Sequence, residues 1–317
     1  MNIIFLGTPE FSVTVLKELV KSHHKVVAIV SQPDKPVGRK QILCPTPTKQ
    51  FGLDNNIPVY QFAKIKKEGV EPLKALNADV MVTVAYGQIL SKELLELTKY
   101  GTINVHGSLL PEYRGAAPFQ WVLINGEKKT GVTIMKSDVG IDNGPIYKMK
   151  EFQIEPTDGL KDLYYKASLV APELLIDCLD NLENGSAVFT SQDEEKASYY
   201  PMLKPELSYI DFNDSKYKIV NLVKGISEWP TASCSHNGQK LNIYDAKVIE
   251  IPENNLNNYS NGEIVECSGK KGIIVKVSDG FIYLNSVQLQ GGKIVDSKAL
   301  ANGNKIKVKD ILTKITI

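Results

Sequence analysis

The feature that most constrains the fold is the order of three segments at the start of the chain. Residues 2 to 6 form an apolar run, apolar residues recur at helical spacing from Phe11 to Val20, and a second apolar run covers Val26 to Val30. This order predicts a βαβ unit with parallel strands and a right-handed crossover. Apolar strands at Asp79 to Ala85 and Thr102 to Val105 continue the pattern. We therefore expect an α/β fold with a doubly wound, mostly parallel sheet.

The turn after the first strand reads Gly7-Thr8-Pro9-Glu10 and does not match Gly-x-Gly-x-x-Gly. In dinucleotide-binding folds, that glycine pattern lets the backbone approach a pyrophosphate at a helix N-terminus. Without it, we expect Gly7 only to permit the turn from strand to helix. The sequence therefore predicts no nucleotide cofactor.

A loop rich in proline and glycine follows the second strand, from Ser31 to Pro47. Its composition argues against a regular element, and its length exceeds an ordinary connection between a strand and a helix. Lys35, Arg39 and Lys40 lie in it, and Lys49 follows just after it. These side chains could meet a phosphate backbone, or the loop could be an ordinary solvated surface.

Polar side chains gather where the strand that begins at Thr102 is predicted to end. Asn104 and His106 are two residues apart, so they point to the same face if the strand persists through residue 106. An amide N–H and an imidazole can stabilise an oxyanion. Asp142 follows in a glycine-flanked turn, where a carboxylate would favour the protonated imidazole and accept a proton from an attacking amine. The three side chains predict acyl transfer to an amine that the substrate itself carries.

These residue types also have a purely structural interpretation. A histidine after a strand is often hydrogen-bonded within the protein, and an Asp before Asn-Gly is often part of a turn. The remaining histidines, His23, His24 and His236, lie in polar turns and are expected to be solvated. They are too few and too scattered for a dedicated metal site, so we expect no metal.

Charge and cysteine content limit the class of protein. The chain has 37 basic and 36 acidic residues, which argues against a polycationic protein but leaves room for a local basic patch on nucleic acid. The four cysteines form no Cys-x-x-Cys pair, which is typical of a cytoplasmic protein with reduced thiols. The apolar N-terminus is too short to span a bilayer and lacks the features of a signal peptide, so we expect no membrane partner.

The composition changes at residue 190. Residues 190–207 are polar with prolines and are predicted to be a linker. A helix from Asn213 to Lys224 and then short strands separated by turns predict a small β-barrel. We therefore predict a catalytic domain at 1–189 and a barrel domain at 208–317.

Several motifs occur in the same order as in a known family. They are Phe5-Leu6-Gly7-Thr8-Pro9-Glu10-Phe11, Gln32 to Arg39, Val84-Ala85-Tyr86-Gly87, Asn104-Val105-His106, Ser108 to Pro118 and Asp138 to Asp142. Over nearly the whole chain, the sequence resembles the 10-formyltetrahydrofolate-dependent formyltransferases. The resemblance implies a Rossmann-like domain that binds the folate and an OB-like C-terminal barrel that helps to hold tRNA.

The implied reaction is transfer of the formyl group of 10-formyltetrahydrofolate to the α-amino group of methionine on initiator tRNA, through a tetrahedral oxyanion intermediate. Asn104 and His106 match the family's oxyanion stabilisers, and Asp142 matches its acid/base partner. Arg39 matches a loop arginine that probes the unpaired end of the acceptor stem, with Lys40 beside it in a loop less basic than the family pattern. The residues that match or adjoin the folate contacts are Ser108, Leu109, Leu110, Pro111, Tyr86, Gly87, Gln88, Ile89 and Leu90. We expect a cytoplasmic monomer.

Two alternatives stay open. A sibling enzyme would use the same three residues to formylate a nucleotide-linked amino sugar or glycinamide ribonucleotide. A catalytically silent RNA-binding relative would keep the scaffold but not the reaction. The basic loop and the barrel favour tRNA over the sugar, and the presence of Asn104, His106 and Asp142 argues against the silent relative.

Overall fold

The computed structural model describes residues 1–38, 41–250 and 258–316. The chain forms two compact units. The first contains Met1–Gly115, Lys129–Gln153 and Tyr164–Tyr200. The second contains Ala116–Lys128, Ile154–Leu163 and Pro201–Ile317.

The strands in chain order are β1 (Asn2–Gly7), β2 (Lys25–Ser31), β3 (Lys35–Val37), β4 (Ile42–Cys44), β5 (Val59–Gln61), β6 (Val80–Val84), β7 (Thr102–His106), β8 (Arg114–Gly115), β9 (Lys129–Lys136), β10 (Ile146–Gln153), β11 (Tyr199–Tyr200), β12 (Ser233–His236), β13 (Gln239–Ile249), β14 (Ile264–Ser268), β15 (Gly272–Val277), β16 (Gly280–Leu289), β17 (Val295–Asp296) and β18 (Leu312–Thr313).

The helices are α1 (Glu10–Lys21), α2 (Pro47–Asp54), α3 (Ile65–Glu68), α4 (Val70–Lys74), α5 (Lys92–Leu95), α6 (Pro118–Asn125), α7 (Leu160–Glu183), α8 (Lys216–Gly225) and α9 (Ser297–Asn302). Short 3₁₀ turns cover Glu194–Lys196 and Pro205–Ser208. None of the helices in the described ranges combines the length and the apolar character needed to cross a membrane.

The first unit is built on a sheet with the strand order β10-β9-β7-β6-β1-β2-β5. The strands from β7 to β5 run parallel, and β9 and β10 are antiparallel additions. Strands β6 and β7 are neighbours, so their carboxyl ends lie side by side. The predicted mostly parallel α/β sheet is confirmed, and so is the βαβ unit at its start.

Strand β1 lies inside the sheet between β6 and β2, and four successive apolar residues, Ile3 to Leu6, are fully buried. Burial on both faces is what a continuous apolar run in a parallel sheet requires. At the turn into α1, a Cβ on Gly7 would lie 2.7 Å from both a Phe5 ring carbon and the Ser12 Cβ. Gly7 is therefore required by the close packing of this turn.

Two segments of the first unit contain short elements. The charged segment at residues 64–76 forms two short helices, α3 and α4, and Pro72 lies in the first turn of α4, where its missing N–H costs no helical hydrogen bond. The loop predicted to be irregular contains a short antiparallel hairpin, β3–β4, that pairs Lys35 with Cys44. The residue composition of this loop did not reveal a pair of strands this short.

The second unit contains an antiparallel sheet with the order β14-β15-β16-β13-β12-β18. Its two edges approach each other, because Glu263 beside β14 forms an antiparallel bridge with Ile311 beside β18. Helix α8 covers a core that includes Ile219, Val223 and Ile243. The predicted smaller C-terminal β domain is confirmed, with Asn237 and Gly238 in the left-handed conformation at the β12–β13 turn.

The segment from Thr190 to Tyr200, predicted to be part of a linker, belongs to the first unit. Thr190 bridges Ile146, the first residue of β10, and β11 pairs in parallel with β8. These hydrogen bonds attach the segment to β8 and to the start of β10.

A partly buried polar network anchors the base of the β3–β4 hairpin. The Lys49 ammonium donates to Asp34 Oδ2 at 2.6 Å and to Gln61 Oε1 at 2.9 Å. Gln61 Nε2 donates to Asp34 Oδ1 at 2.7 Å. The hydrogen bond from Lys49, followed by that from Gln61, holds the pKa of Asp34 below its usual value.

Replacing Lys49 by Met should destabilise the protein by about 1 kcal/mol at pH 7. Because the folded-state pKa of Asp34 is lowered, its contribution is present above the unfolded pKa, roughly 4, and is lost as the pH falls through the folded value. Chemical denaturation from pH 7 to pH 3 should therefore show the difference from the natural protein shrinking in acid. Lys21→Met is the control, since Lys21 pairs with Glu18 in an exposed position; an equal effect of both variants would contradict the anchoring role.

Candidate active site

The candidate site lies at the carboxyl end of β7, the strand between β6 and β9. In the register of the sheet, Asn104 pairs with Thr83 of β6, and His106 pairs with Thr133 of β9. The strand persists through His106, so Asn104 and His106 share a face as the sequence predicted. Ligands of open α/β sheets bind outside this end of the strands.

The side chain of Asn104 has a defined orientation. Thr83 Oγ1 donates to Asn104 Oδ1 at 2.8 Å. The carbonyl of the amide is thereby occupied, and its Nδ2 faces Asp142 Oδ1 at 3.5 Å. Thr83 therefore makes the amide present its N–H donors to the site.

His106 is buried, and a backbone carbonyl determines which ring nitrogen carries its proton. Its Nε2 lies 2.9 Å from the carbonyl oxygen of Tyr113, which can only accept a hydrogen bond. Nε2 is therefore the protonated nitrogen of the neutral ring. The other nitrogen, Nδ1, lies 3.7 Å from Asp142 Oδ2 and becomes a donor when the ring is charged.

Asp142 reaches the site from the loop between β9 and β10. Its backbone is in the left-handed region, with φ of 48°. The backbone N–H of Gly115 donates to Asp142 Oδ2 at 2.8 Å. This bond fixes the carboxylate beside His106, with a fifth of its side chain still exposed.

The structure thus brings together the three residues that the sequence singled out. An amide donor, an imidazole and a carboxylate lie within 3.7 Å of one another through Asp142. Such a set can stabilise developing negative charge on an oxygen and move a proton. The roles of the individual residues stay predictions.

The segment Tyr86 to Leu90 follows β6 next to this edge. The Tyr86 side chain belongs to a buried core cluster that also contains Ile65 and Leu94, and burial raises the pKa of its phenol to about 12. The side chain of Gln88 forms hydrogen bonds within the protein: its Oε1 accepts from the backbone N–H of Ile65, and its Nε2 donates to the carbonyl of Phe62. Gly87 and Ile89 are exposed, and two thirds of the Ile89 side chain is accessible.

The segment Ser108 to Pro111 shows the same division. Ser108 is buried, and its hydroxyl donates to the carbonyl of Glu112 at 2.7 Å. Leu110 is buried as well, and its N–H donates to Thr133 Oγ1. Leu109 and Pro111 are partly exposed. Gln88 and Leu90 are partly exposed as well, so the accessible members of the two segments are Gly87, Gln88, Ile89, Leu90, Leu109 and Pro111.

The predicted tRNA contacts Arg39 and Lys40 lie outside the described residues. The hairpin strands that flank them are described. Strand β4 exposes two apolar side chains, Ile42 and Leu43.

Sequence reasoning missed a group of residues behind Asp142. The guanidinium of Arg114 is fully buried, and it donates to Gln192 Oε1, to both oxygens of Glu194 and to the Tyr199 hydroxyl. Gln192 Nε2 in turn donates to the backbone carbonyls of Asp142 and Gly144. The Glu194 carboxylate raises the pKa of Arg114, and Arg114 lowers that of Glu194. The one signal in the sequence was an arginine beside apolar residues, which needs a partner when it is buried.

Two histidines differ from the sequence expectation. His23 is exposed as predicted, but His24 and His236 are buried. His236 Nε2 bonds Asp310 Oδ2 at 2.9 Å, and His24 Nε2 lies 3.0 Å from Asp180 Oδ1. Burial chiefly, helped by the nearby Met1 ammonium, lowers the pKa of His24.

His23, His24 and Glu183 also bring nitrogen and oxygen atoms within 4.8 Å of one another, a spacing open to a metal ion. The α-amine of Met1 already contacts both His24 Nδ1 and Glu183 Oε1 at 3.2 Å. These atoms therefore have partners within the protein, and we assign no metal to them.

Comparison with known proteins identifies relatives over the full length. Residues 1–179 match the family described as Formyl transferase, and residues 202–305 match Formyl transferase, C-terminal domain. The methionyl-tRNA formyltransferase of Caldicellulosiruptor saccharolyticus is 43% identical over 316 residues, covering 99% of this chain and 100% of the relative. That of a Sulfurihydrogenibium species is 42% identical, covering 97% and 98%.

Solved structures share the fold at lower identity. HypX from Aquifex aeolicus in complex with tetrahydrofolic acid aligns with a TM-score of 0.70 at 17% identity, covering 98% of this chain and 48% of HypX. WlaRD, a sugar 3N-formyl transferase, aligns with a TM-score of 0.65 at 21% identity, covering 92% and 99%. The methionyl-tRNA formyltransferase from Clostridium thermocellum aligns with a TM-score of 0.55 at 21% identity, covering 78% and 94%.

Replacing the exposed Glu194 by Gln should lower the melting temperature by several degrees, because it leaves the buried Arg114 guanidinium without its counter-charge. Glu195→Gln is the matched control, since Glu195 is an exposed neighbour in the same turn. Thermal unfolding of both variants at pH 7 measures the difference. Equal melting temperatures for the two variants would show that Glu194 does not compensate the buried charge.

Proposed function

The chain belongs to the formyl transferase family, and we propose that it transfers the formyl group of 10-formyltetrahydrofolate to the α-amino group of methionyl initiator tRNA. The observation that carries the proposal is the convergence of Asn104, His106 and Asp142 at the end of β7, in a chain with full-length methionyl-tRNA formyltransferase relatives. The reaction prepares the initiator tRNA for translation initiation.

The folate, when bound, supplies the activated formyl group, and the methionyl amine is the nucleophile. Asn104 Nδ2, held outward by Thr83, donates to the formyl oxygen as negative charge develops there. His106 is committed to Tyr113 through Nε2, so Nδ1 is the nitrogen that faces the reacting atoms. Asp142 stabilises the charged imidazole and takes the proton that the amine loses. The tetrahedral intermediate then collapses as the bond between the formyl carbon and N10 breaks, and the proton passes to N10 of the departing tetrahydrofolate.

The accessible residues beside these three suit a folate. A pterin ring is flat, with polar edges, and binds between apolar side chains while backbone groups meet its edges. Ile89, Leu109 and Pro111 supply partly or largely exposed apolar surface near the end of β6 and β7. The predicted contacts Tyr86, Gln88, Ser108 and Leu110 would shape the pocket from behind.

For the acceptor, we propose that Arg39 and Lys40 contact the acceptor stem and that the barrel domain at 208–317 helps to hold the tRNA. Residues 1–189 would form most of the catalytic domain, and the connection to the barrel would lie in the part of 190–207 that follows Tyr200. Ile42 and Leu43, which follow the basic pair closely in the sequence, offer exposed apolar surface to the faces of unpaired bases. We further infer a cytoplasmic monomer, which sedimentation of the purified protein would test.

Transfer of labelled formyl from 10-formyltetrahydrofolate should occur to charged initiator tRNA and not to a nucleotide-linked amino sugar or glycinamide ribonucleotide. Uncharged tRNA is the control, because it lacks the amine. Arg39→Ala should lower kcat/KM for the tRNA. Transfer to the sugar or the ribonucleotide alone would replace the proposal with the sibling activity, and no transfer at all would favour an RNA-binding protein.

Replacing His106 or Asp142 by Ala should each reduce turnover on the order of a hundredfold or more, the scale of losing an oxyanion donor or an acid/base group. Tetrahydrofolate binding, measured by calorimetry, should change much less. Asp138→Asn is the matched control, since Asp138 is an exposed carboxylate in the same loop. Near-natural turnover of the Asp142 variant would remove it from the mechanism.

A further inference from the structure

The backbone of Asp142 is held in an uncommon conformation. Its φ of 48° is in the left-handed region, which is unfavourable for a non-glycine residue and persists where surrounding contacts enforce it. The carboxylate reaches Asn104 and His106 from this conformation. Something must therefore hold the loop against relaxation.

Gln192 supplies the contacts that enforce it. Its single amide nitrogen donates to the carbonyl of Asp142 at 2.8 Å and to the carbonyl of Gly144 at 2.7 Å. Both N–H groups of the side chain are thereby used on one turn. A change of the Asp142 backbone would break these bonds.

The orientation of Gln192 is set from the other side. Its Oε1 accepts from Nε of the buried Arg114 at 3.0 Å, which leaves the Nε2 end facing the loop. Arg114 is itself fixed by its bidentate pair with Glu194 and by a hydrogen bond from its own backbone N–H to the carbonyl of Ser198. The residue after Arg114, Gly115, donates directly to the Asp142 carboxylate.

We propose that Gln192, oriented by Arg114, is a positioning residue that holds Asp142 in its working geometry. It touches no reacting atom and acts only through the loop. The inference rests on the proposed function, because it assigns Gln192 to the reaction that Asp142 serves. A displacement of about 1 Å in a catalytic group can cost on the order of a hundredfold in rate.

Two substitutions test the role. Gln192→Ala removes both hydrogen bonds to the loop of Asp142. Gln192→Glu keeps the size of the side chain but replaces its NH₂ group with an oxygen that repels the carbonyls of Asp142 and Gly144. Each should lower kcat for formylation of methionyl initiator tRNA by about tenfold to a hundredfold, with KM for tRNA and folate within a few fold. Lys196→Ala is the control, because Lys196 is exposed and pairs with Asp193 in the same turn.

A double-mutant cycle separates positioning from general damage. In an Asp142→Asn background, Gln192→Ala should cause no further loss of kcat, because Gln192 acts through the Asp142 carboxylate. A lesion of the whole fold would instead reduce the rate in that background too. Hydrogen exchange of the N–H groups in residues 138–144 should accelerate in Gln192→Ala, while those of β6 and β7 stay unchanged.

A kcat within twofold of the natural protein for both Gln192 variants would overturn the proposal, as would a further loss in the Asp142→Asn background. Failure of the proposed function gives a different result. If the natural protein forms no formyl-methionyl-tRNA but Gln192→Ala still accelerates hydrogen exchange in residues 138–144, the formylation proposal fails. The conclusion that Gln192 holds the Asp142 loop is then still supported. If exchange is also unchanged, both fail.

Discussion

The hydrogen-bonded register of β6, β7 and β9 is the constraint on which the candidate site depends. It sets Thr83 opposite Asn104 and Thr133 opposite His106, so each of the two candidate catalytic residues on β7 has a threonine beside it on the neighbouring strand. The hydroxyl of Thr83 turns the Asn104 amide towards the site. That of Thr133 accepts from Leu110 and donates to the carbonyl of Ser108, which fixes the segment after β7. A shift of one residue in this register would undo both arrangements.

The chemistry of the site depends on how the side chains are oriented as much as on which residues are present. Nε2 of His106 donates to the Tyr113 carbonyl, and the side-chain oxygen of Asn104 accepts from the Thr83 hydroxyl. What remains free on each side chain points towards Asp142. Side chains fixed in this way need little reorganisation when charge develops, which is the main source of electrostatic catalysis.

Much of the fold and the centre of the site could be predicted from the sequence. Strands β1 and β6 are buried on both faces, and such strands appear in the sequence as continuous apolar runs. Asn104, His106 and Asp142 stood out because their spacing matched a strand end and a turn. The burial of His24 and His236 could not be predicted, since it depends on Asp180 and Asp310, which lie far along the chain. Gln192 and Glu194 were hidden for a similar reason: their polar surroundings are typical of a linker, and only the three-dimensional position of Arg114 gives them a partner.

Because residues 190–200 attach to the first unit, the part of the chain that this unit needs extends beyond the last strand of its sheet. Every strand of the large sheet is complete by Gln153, and the three candidate catalytic residues come earlier still. A chain that stopped at the end of α7, close to where the match to the N-terminal family ends, would contain all of them. It would nevertheless lack Gln192 and the carboxylate that neutralises Arg114. During synthesis, the loop of Asp142 therefore lacks its hydrogen bonds from Gln192 until about forty residues after the last strand of its own sheet have been added.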